Sequence, residues 1–458
     1  MAMPGCKRGI EHVKTNEEGE YDKKDEQQQQ QQCQTRETMS ELNFRILELP
    51  THIICDILSR LPLKSILYCR CVCKMFLKIL TDSYFAKIHL TKAPTTTASL
   101  ILREHFGLSG FLYIYMIDLD ETSSTSCSTD YHHSRGGGCC RPRHALTKQN
   151  AELRFRDGKA TLVGSCNGLL CLYHASLQNP IYHICNPILG EYTVVPHLIP
   201  STSVYTYLNY SGFGFCPKTN QYKVIRFMCL TSFDPFTALT LRKTVAEIYT
   251  LGSESWRSIS DAPSPKTQGS FDPFLNGALH WITDSRRASD LICSFDLEAE
   301  QFRPVPPPAH FDPDYVRKIS WINIGVLRGC LCICYVFGDA QFEVWVMKDY
   351  GVKESWIKEF AINVKFYCGL RVEDLHQPIK FLNNGDLWFI CKSHSLVSYS
   401  PQKGTFRDFK ALGPHKTEVI VHIPSFISLK DTAMGKNLKV KNVKWESSCC
   451  FEIQHALV

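Results

Sequence analysis

The sequence contains no apolar run that approaches the ~18 residues a membrane-spanning helix needs. Residues 1–26, MAMPGCKRGIEHVKTNEEGEYDKKDE, include no apolar segment of the kind found in secretory leaders. The 22 cysteines are too few for a disulfide-rich secreted scaffold of this length. Many of them stand at apolar positions, where a free thiol packs as a small hydrophobe: Cys171, Cys185, Cys332 and Cys391. We therefore expect a reducing location, the cytosol and/or the nucleus, and no membrane partner.

Strong charge and catalytic motifs are also missing. The formal net charge of +6 is small for 458 residues, so no specific nucleic-acid partner is expected. No GxSxG, HExxH or P-loop pattern is present. One loop holds several cysteines and histidines without the paired spacing of a zinc site: Cys127, His132, His133, Cys139, Cys140 and His144. Four acidic residues at strand or turn positions are expected to cap turns and solvate edges: Glu247, Asp296, Glu343 and Asp386. We expect no metal, no cofactor and no intrinsic catalytic site.

Residues 47–90 are the most strongly patterned part of the chain. Apolar residues recur at helical spacing after Pro50, and Pro62 ends this first helix because proline cannot continue a running helix. A second apolar run, residues 63–80, also has a helical period, and a third helix is expected after Asp82, which is placed to cap it. Three short helices cannot bury this much apolar surface against each other. An exposed apolar face, rimmed by basic residues, suggests docking onto a partner.

These residues resemble the F-box. The resemblance is carried by Leu49-Pro50, Ile57-Leu58, Arg60-Leu61-Pro62, Ser65-Ile66, Val72-Cys73-Lys74 and Phe76. It implies binding to a Skp adaptor and, through it, to the cullin scaffold of an SCF-type ubiquitin ligase. The residues expected to bind the adaptor are Leu49, Pro50, Ile53, Ile54, Ile57, Leu58, Leu61, Pro62, Ser65, Ile66, Val72, Cys73 and Phe76. The family usually has tryptophan where this chain has Phe76, a change that keeps an aromatic body but removes the indole N–H donor.

Composition divides the whole chain into four regions. Residues 1–40 are polar, contain the glutamine run Gln27–Gln32 and are expected to be disordered. Residues 41–90 form the F-box, residues 96–430 a β-rich domain, and residues 431–458 a tail. The predicted fold class is multidomain, α followed by all-β, with a three-helix F-box before a β-propeller.

The propeller prediction rests on a loose repeat. Each unit has a turn glycine, then three strands, with the glycines at Gly168, Gly277, Gly329 and Gly385. The first interval is about twice the others, and a hidden unit with a turn near Asn220 fills it. Five all-β units of about fifty residues match propeller blades. Strands within 98–118, and residues 419–423 with 426–429, belong to no unit. Joining the two ends in one closing blade would remove exposed edges, which gives six blades; five or seven remain alternatives.

The β-rich region resembles the F-box-associated propeller of plant F-box proteins. This resemblance is carried by residues 166–172, CNGLLCL, by Cys185-Asn186-Pro187, by residues 212–215, GFGF, and by residues 276–281, NGALHW. Kelch repeats are a neighbouring possibility, but their paired glycines are absent. The resemblance implies a non-catalytic substrate-recognition subunit, with the propeller binding a target protein for ubiquitination. Two alternatives stay open, an adaptor-bound scaffold without a ligase role and a propeller enzyme.

The target-binding residues are not predicted individually. Candidates of the types enriched at hot spots are Arg286, Arg287, Trp256, Trp281, Trp345, Trp356 and Trp388, although most of the tryptophans are expected to pack between blades. The F-box helices are not expected to belong to the propeller core, which would leave their apolar face free for the adaptor.

Overall fold

The computed structural model describes sixteen segments of the chain. They are residues 48–92, 99–105, 111–118, 149–156, 160–174, 181–195, 205–234, 239–266, 273–285, 287–338, 341–363, 375–381, 385–391, 396–409, 417–432 and 438–442. The predicted N-terminal tail, the loop with the cysteines and histidines, and residues 443–458 lie outside them. No helix in the described segments is long and apolar enough to cross a membrane. The chain divides into two compact units, Met1–Leu61 and Pro62–Val458.

The first unit contains one described helix, α1, at Thr51–Ser59. Pro50 is its N-cap, and the Pro50 carbonyl accepts hydrogen bonds from the backbone N–H groups of Ile53 and Ile54 at 2.9 and 3.2 Å. Proline is tolerated here because the first-turn N–H groups have no partner within the helix. The predicted start of this helix is confirmed.

Three further helices follow in the second unit: α2 at Leu63–Val72, α3 at Lys74–Leu80 and α4 at Ser83–Lys92. The predicted single helix over residues 63–80 is therefore two helices. Cys73 separates them with an extended backbone, φ −155°, and its thiol sulfur accepts a hydrogen bond from the N–H of Phe76 at 3.4 Å. The predicted cap is confirmed, since Asp82 Oδ1 accepts from the N–H of Tyr84 at 2.7 Å.

Six antiparallel sheets make up the β-rich part of the described chain. The first contains β4 (Ala160–Cys166), β5 (Leu169–His174), β6 (Ile181–Asn186) and β7 (Glu191–Val195). The second contains β8 (Tyr205–Cys216), β9 (Gln221–Asp234), β10 (Leu239–Thr250) and β11 (Arg257–Ile259). The third contains β12 (Phe274–Leu275), β13 (Ala278–Ile282), β14 (Ile292–Asp296) and β15 (Gln301–Val305).

The fourth and fifth sheets follow the short helix α5 (Pro313–Arg317). The fourth contains β16 (Ile319–Leu327), β17 (Cys330–Phe337), β18 (Gln341–Met347) and β19 (Trp356–Asn363). The fifth contains β20 (Leu375–Phe381), β21 (Leu387–Cys391), β22 (Leu396–Ser400) and β23 (Thr405–Phe409). This succession of four-stranded units confirms the propeller-like region, and the number of blades stays a prediction.

The sixth sheet joins the two ends of the β-rich region, as the sequence predicted. Its order is β24 (Thr417–His422), β1 (Ser99–His105), β2 (Phe111–Asp118) and β3 (Gln149–Arg156). Strands β24 and β1 pair antiparallel, with Ser99 opposite His422. The sequence did not predict β3. Residues 426–429 also differ from the prediction, because the chain there leads into the short helix α6 (Leu429–Thr432) and forms no strand.

The turn glycines have the conformation that the repeat predicted. Gly168, Gly277, Gly329 and Gly385 all have φ between 73° and 83°, the left-handed region that glycine adopts without steric cost. The hidden unit is confirmed at Asn220, whose φ of 53° lies in the turn between β8 and β9. The same kind of hairpin therefore recurs at the first strand of successive sheets.

The apolar cores lie between neighbouring sheets. Strand β17 shows this clearly, because Cys332 and Cys334 pack with Leu387 of the fifth sheet while Ile333 packs with Ile292 of the third. The predicted alternation that puts Cys330, Cys332 and Cys334 on one face is confirmed. One strand of each sheet contacts a strand of the next sheet, in the series β24, β4, β8, β13, β16 and β20. Residues 438–442 of the predicted tail also belong to this region, where β25 (Lys441–Asn442) pairs with β7.

Candidate binding surfaces

Helix α1 and the residue before its cap carry an exposed apolar strip. Leu49, Ile53 and Ile57 are exposed to 38%, 39% and 47%. A spacing of four residues places their side chains on one helix face. Ile54 follows Ile53 in the sequence and Leu58 follows Ile57, and both of these next residues are buried. An apolar strip of this kind is typical of a surface that binds a partner.

The other predicted adaptor residues divide between surface and interior. Val72 is exposed to 62% and Pro62 is exposed, whereas Ile66 is fully buried. Leu61, Ser65, Cys73 and Phe76 are half-buried. Three members of the predicted set are buried, Ile54 and Leu58 in α1 and Ile66 in α2. Adaptor contact by any of the set stays a prediction. Sequence reasoning missed three exposed apolar residues in α2 to α4, Tyr68, Leu77 and Tyr84.

Helix α4 packs against the chain that follows β24. The ring of Phe426 lies 5.9 Å from that of Phe85 and 5.1 Å from that of His89, and all three side chains are buried. The last of the helices is therefore not separate from the β-rich region, unlike the expectation that the F-box helices have no part in its packing. The sequence did contain a signal of this packing, because Phe85 and His89 are four residues apart and therefore lie on one face of α4.

Phe426 belongs to a segment, residues 424–432, that we call the return segment. Asn186 of β6 holds it, because Nδ2 donates to the carbonyl oxygens of Ser425 and Ile427 at 3.0 and 2.8 Å. The Asn186 Oδ1 accepts from the N–H groups of Ile188 and Leu189 at 2.8 and 3.1 Å. This fully buried amide therefore uses both donors and both acceptor sites.

A carboxylate and a glycine complete the attachment of the return segment. Glu191 is buried and accepts hydrogen bonds from the hydroxyl of Ser428 at 2.9 Å and from the N–H of Leu429 at 2.8 Å. Gly168 lies so close that a Cβ there would stand 2.0 Å from Ser425 Oγ. The first sheet thus fixes the return segment, and the return segment contacts α4.

The fourth sheet contains a buried carboxylate that sequence reasoning placed at a solvated edge. Glu343 is only 3% exposed. It accepts hydrogen bonds from Tyr335 Oη, Trp345 Nε1 and Lys358 Nζ at 2.7, 2.9 and 2.8 Å. Burial alone would raise the pKa of Glu343, but these donors outweigh burial and hold the pKa below its usual value. The expectation that this residue solvates an edge is wrong, because its own strand and both neighbouring strands supply its partners.

Two of the other acidic candidates, Asp296 and Glu247, have structural partners, and the third, Asp386, is buried at 8% exposure and does not lie at a solvated edge. Asp296 caps a turn as expected, since Oδ1 accepts from the N–H groups of Glu298 and Ala299 at 2.9 and 3.0 Å. Glu247 accepts from Arg226 Nε at 2.7 Å, and the buried guanidinium of Arg226 stacks 4.1 Å from the ring of Trp256. The Glu247–Arg226 pair thus links β10 to β9.

One serine and histidine pair resembles part of a hydrolase site. Ser165 Oγ lies 2.8 Å from His422 Nδ1. His422 is completely buried, and burial lowers its pKa to about 4. A buried imidazole without substrate access is suited to packing between β4 and β24. In the described segments, no group of three or more His, Cys, Asp or Glu side chains is placed to hold a metal ion.

The tryptophan candidates mostly pack in the interior, as expected. Trp281, Trp356 and Trp388 are buried, whereas Trp256 and Trp345 are partly exposed. Arg287 is exposed, and Arg286 lies outside the described residues. Trp281 differs from a simple core residue because it borders a cavity between three sheets.

Two family models match the chain. The F-box domain model matches residues 46–87, and the F-box associated beta propeller domain model matches residues 119–428. Similar proteins come from Arabidopsis thaliana. F-box protein At3g07870 is 29% identical, over 82% of this chain and 90% of that protein. F-box/kelch-repeat protein At3g23880 is 28% identical, over 72% and 82%, and F-box protein CPR1 is 27% identical, over 76% and 83%.

The matched residues include the helices with the exposed apolar strip and most of the strands of the six sheets. The similarity to plant proteins extends over most of the chain and is not confined to one motif. The chain belongs to the F-box proteins that carry an F-box associated beta propeller domain.

Proposed function

We propose that this protein is the substrate-recognition subunit of an SCF-type E3 ubiquitin ligase. Its F-box helices bind a Skp adaptor and, through the adaptor, a cullin scaffold, while the propeller-like region binds a target protein. Other subunits carry out ubiquitin transfer. This chain supplies proximity and orientation and no covalent chemistry of its own.

The observation that carries the proposal is the exposed strip of Leu49, Ile53 and Ile57, together with membership of the F-box family. Burying three aliphatic side chains of this kind contributes several kcal/mol to association, at about 1.5 to 3 kcal/mol for each fully buried side chain. Lys64 of α2 and Lys74 of α3 are exposed and would add electrostatic steering towards an acidic partner.

The test is capture of a plant Skp adaptor co-expressed with the full chain. Ile57→Asp places a charge in the strip and should abolish capture. Ile357→Asp is the matched control, because Ile357 in β19 is also an exposed isoleucine, at 43% against 47% for Ile57. Replacing both Leu49 and Pro50 with alanine should also abolish capture. Adaptor binding that survives the strip substitutions, in a chain that remains folded, would refute this docking face.

Target turnover separates a ligase subunit from an adaptor-bound scaffold. Deleting the F-box helices should make the target accumulate if the chain acts in ubiquitination. An unchanged half-life of every protein captured by the propeller-like region would favour the scaffold.

We also propose that the protein acts in the cytosol, the nucleus or both. Free thiols support this location, because the buried cysteines of the sheets, such as Cys171 and Cys185, form no disulfide. Imaging a fluorescent fusion expressed at native level would test it, and accumulation in the secretory pathway would contradict it.

A further inference from the structure

The first sheet has one strand more than each of the other five described sheets. Its fifth strand is β25, which comes from the predicted C-terminal tail and lies along the outer edge of β7. An outer strand presents a row of N–H and C=O groups on one side, so it is a template for pairing with another segment. The tail therefore occupies the kind of edge at which proteins bind extended segments of their partners.

Residues 438–442, which we call the edge segment, have the alternating pattern of a strand. Leu438 and Val440 are half-buried and pack against the apolar cluster that contains Val195 of β7. The other residues of the edge segment are exposed: Lys439, Lys441 and Asn442. Side chains two residues apart lie on the same face of an extended chain. The edge of β7 thus accepts a segment that has apolar side chains at alternate positions.

The edge segment covers only part of β7. Two residue pairs link the two strands: Lys441 with Tyr192, and Asn442 with Glu191. Strand β7 has five residues, and the other three, residues 193–195, form no strand pair with the described part of the tail. A segment that paired with all five residues would make more backbone hydrogen bonds with β7 than the edge segment makes.

The backbone of the edge segment bends before it reaches the rest of β7. The N–H of Val440 donates to the carbonyl oxygen of Leu438 at 2.9 Å, which is a three-residue turn centred on Lys439. The hydroxyl of Thr193 donates to the carbonyl oxygen of Lys439 at 3.1 Å. A turn and a side-chain contact thus take the place of further strand pairing. Segments with few buried apolar contacts open most readily, so the edge segment is easy to displace.

We propose that the outer edge of β7 binds an extended segment of the target protein, and that the edge segment occupies this site until the target displaces it. The target segment has apolar side chains at alternate positions, like Leu438 and Val440, and no proline where its N–H groups pair with β7. It pairs along the whole of β7, which favours it over the edge segment. This inference rests on the proposed function for the identity of the partner.

The first experiment measures whether the edge of β7 binds a strand from another molecule. The probe is a fluorescein-labelled peptide with the sequence of residues 436–444, KNLKVKNVK. In the full chain, Val440→Asp places a charge against the apolar cluster and should release the edge segment. Fluorescence anisotropy should show saturable binding of the peptide to the Val440→Asp protein. The affinity for the unmodified chain should be weaker by about tenfold or more, because the attached segment competes at a high effective concentration.

Val352→Asp is the matched control. Val352 is an exposed valine, at 46%, in the turn between β18 and β19. The Val352→Asp protein should bind the peptide as weakly as the unmodified chain does. Adaptor capture by the Val440→Asp protein should be unchanged, which shows that this protein remains folded.

Two altered peptides identify the mode of binding. Aspartate in place of the valine that corresponds to Val440 should abolish binding to the Val440→Asp protein. N-methyl groups at the residues that correspond to Lys441 and Asn442 should also abolish it. Successive residues of a strand point their N–H groups to opposite sides, so the two methyl groups together remove the donor that faces β7.

Three results of this experiment would overturn the proposal. They are no binding of the unaltered peptide to the Val440→Asp protein, equal affinity for the Val440→Asp protein and the unmodified chain, and undiminished binding of the N-methylated peptide. Each would leave the edge segment as a permanent cover of β7.

The second experiment tests displacement in the unmodified chain. The peptide Lys-Thr-Val-Thr-Val-Thr-Val-Lys is long enough to pair along all of β7, and its isomer Lys-Thr-Thr-Thr-Val-Val-Val-Lys has the same composition without the alternation. The alternating peptide should bind about tenfold or more tightly than the isomer. Equal affinities would overturn the proposal. Failure of the unmodified chain to capture the adaptor would refute the proposed function, whereas failure of the peptides to bind would refute only the site on β7.

Discussion

Phe85 of α4 and Phe426 of the return segment are in contact, with ring centroids 5.9 Å apart and planes inclined by 56°. Both rings are buried, at 0% and 3% exposure. A helix of the F-box and a segment that follows the last strand of the closing sheet therefore share one small apolar cluster. In an adaptor complex, this contact would limit how far a bound target can move relative to α4.

A double-mutant cycle should show coupling between these rings. Phe85→Leu and Phe426→Leu each remove an aromatic ring and keep an apolar side chain. We expect a coupling energy of about 0.5 to 1.5 kcal/mol in the free energy of unfolding, the usual range for an aromatic pair. Urea unfolding of the four proteins measures it. The control pair is Phe426→Leu with Phe342→Leu, since Phe342 lies in β18. The unfolding free-energy changes of the control pair should add. If the changes for Phe85→Leu and Phe426→Leu also add, the contact is contradicted.

Alanine substitutions at two turn glycines should have different costs. Gly168 and Gly329 have similar φ values, 81° and 73°, so alanine is strained at both. A Cβ at Gly168 would meet Ser425, whereas a Cβ at Gly329 has no atom within 4 Å. Gly329→Ala should cost about 1 kcal/mol and Gly168→Ala about 3 kcal/mol or more, measured by urea unfolding. Equal costs would show that the return segment does not press on this turn.

Asn186→Ala should strongly destabilise the protein. The substitution leaves the carbonyl oxygens of Ser425 and Ile427 and the N–H groups of Ile188 and Leu189 without their buried partner. At about 1 kcal/mol or more for each group, we expect a loss of about 3 kcal/mol or more in the free energy of unfolding. Asn442→Ala, at an exposed asparagine, should change it by less than about 0.5 kcal/mol. A comparably small effect at Asn186 would contradict its role in attachment.

Stability should fall on acidification below pH 6.5. Burial lowers the pKa of His280 and His422 to about 4, compared with about 6.5 in the unfolded chain. Between these values the unfolded state binds more protons, so the free energy of unfolding decreases as pH falls. At pH 5.5 each histidine should cost about 1 kcal/mol relative to pH 7.5.

Urea unfolding at the two pH values measures this loss. His422→Gln should reduce the difference between pH 7.5 and pH 5.5 while Ser165 retains a possible hydrogen-bond partner. A pH dependence that is identical in the His422→Gln protein would show that His422 is not protonated preferentially in the unfolded state.

Local sequence signals predicted the features that depend on few residues. Asn167 and Gly168 specify a tight turn by themselves, because both adopt positive φ readily, and this predicted the strand order within a sheet. Pro50 and Asp82 likewise specify helix starts. Cys73 was missed because its thiol is a weak cap that becomes effective only when the backbone is extended.

Features that depend on distant residues were not predictable in the same way. Glu343 is buried because Tyr335, Trp345 and Lys358 on three strands supply its donors. The cavity beside Trp281 is lined by residues of three sheets that are far apart in the sequence, and no spacing in the sequence indicates this. Strand β3 has the sequence QNAELRFR, in which Ala151, Leu153 and Phe155 alternate with charged residues, so its local pattern was available and was overlooked; only its pairing with β2 depends on distant residues.

The closing sheet has a consequence for synthesis of the protein. Strand β24 begins at Thr417 and pairs with β1, which begins at Ser99, so this edge of β1 has no partner until the ribosome has made nearly the whole chain. Helices α1 to α4 emerge much earlier and could meet the adaptor on a nascent, incomplete polypeptide. A premature stop codon before residue 417 would therefore yield a product that retains the F-box but exposes a strand edge, a combination expected to occupy adaptor and to aggregate.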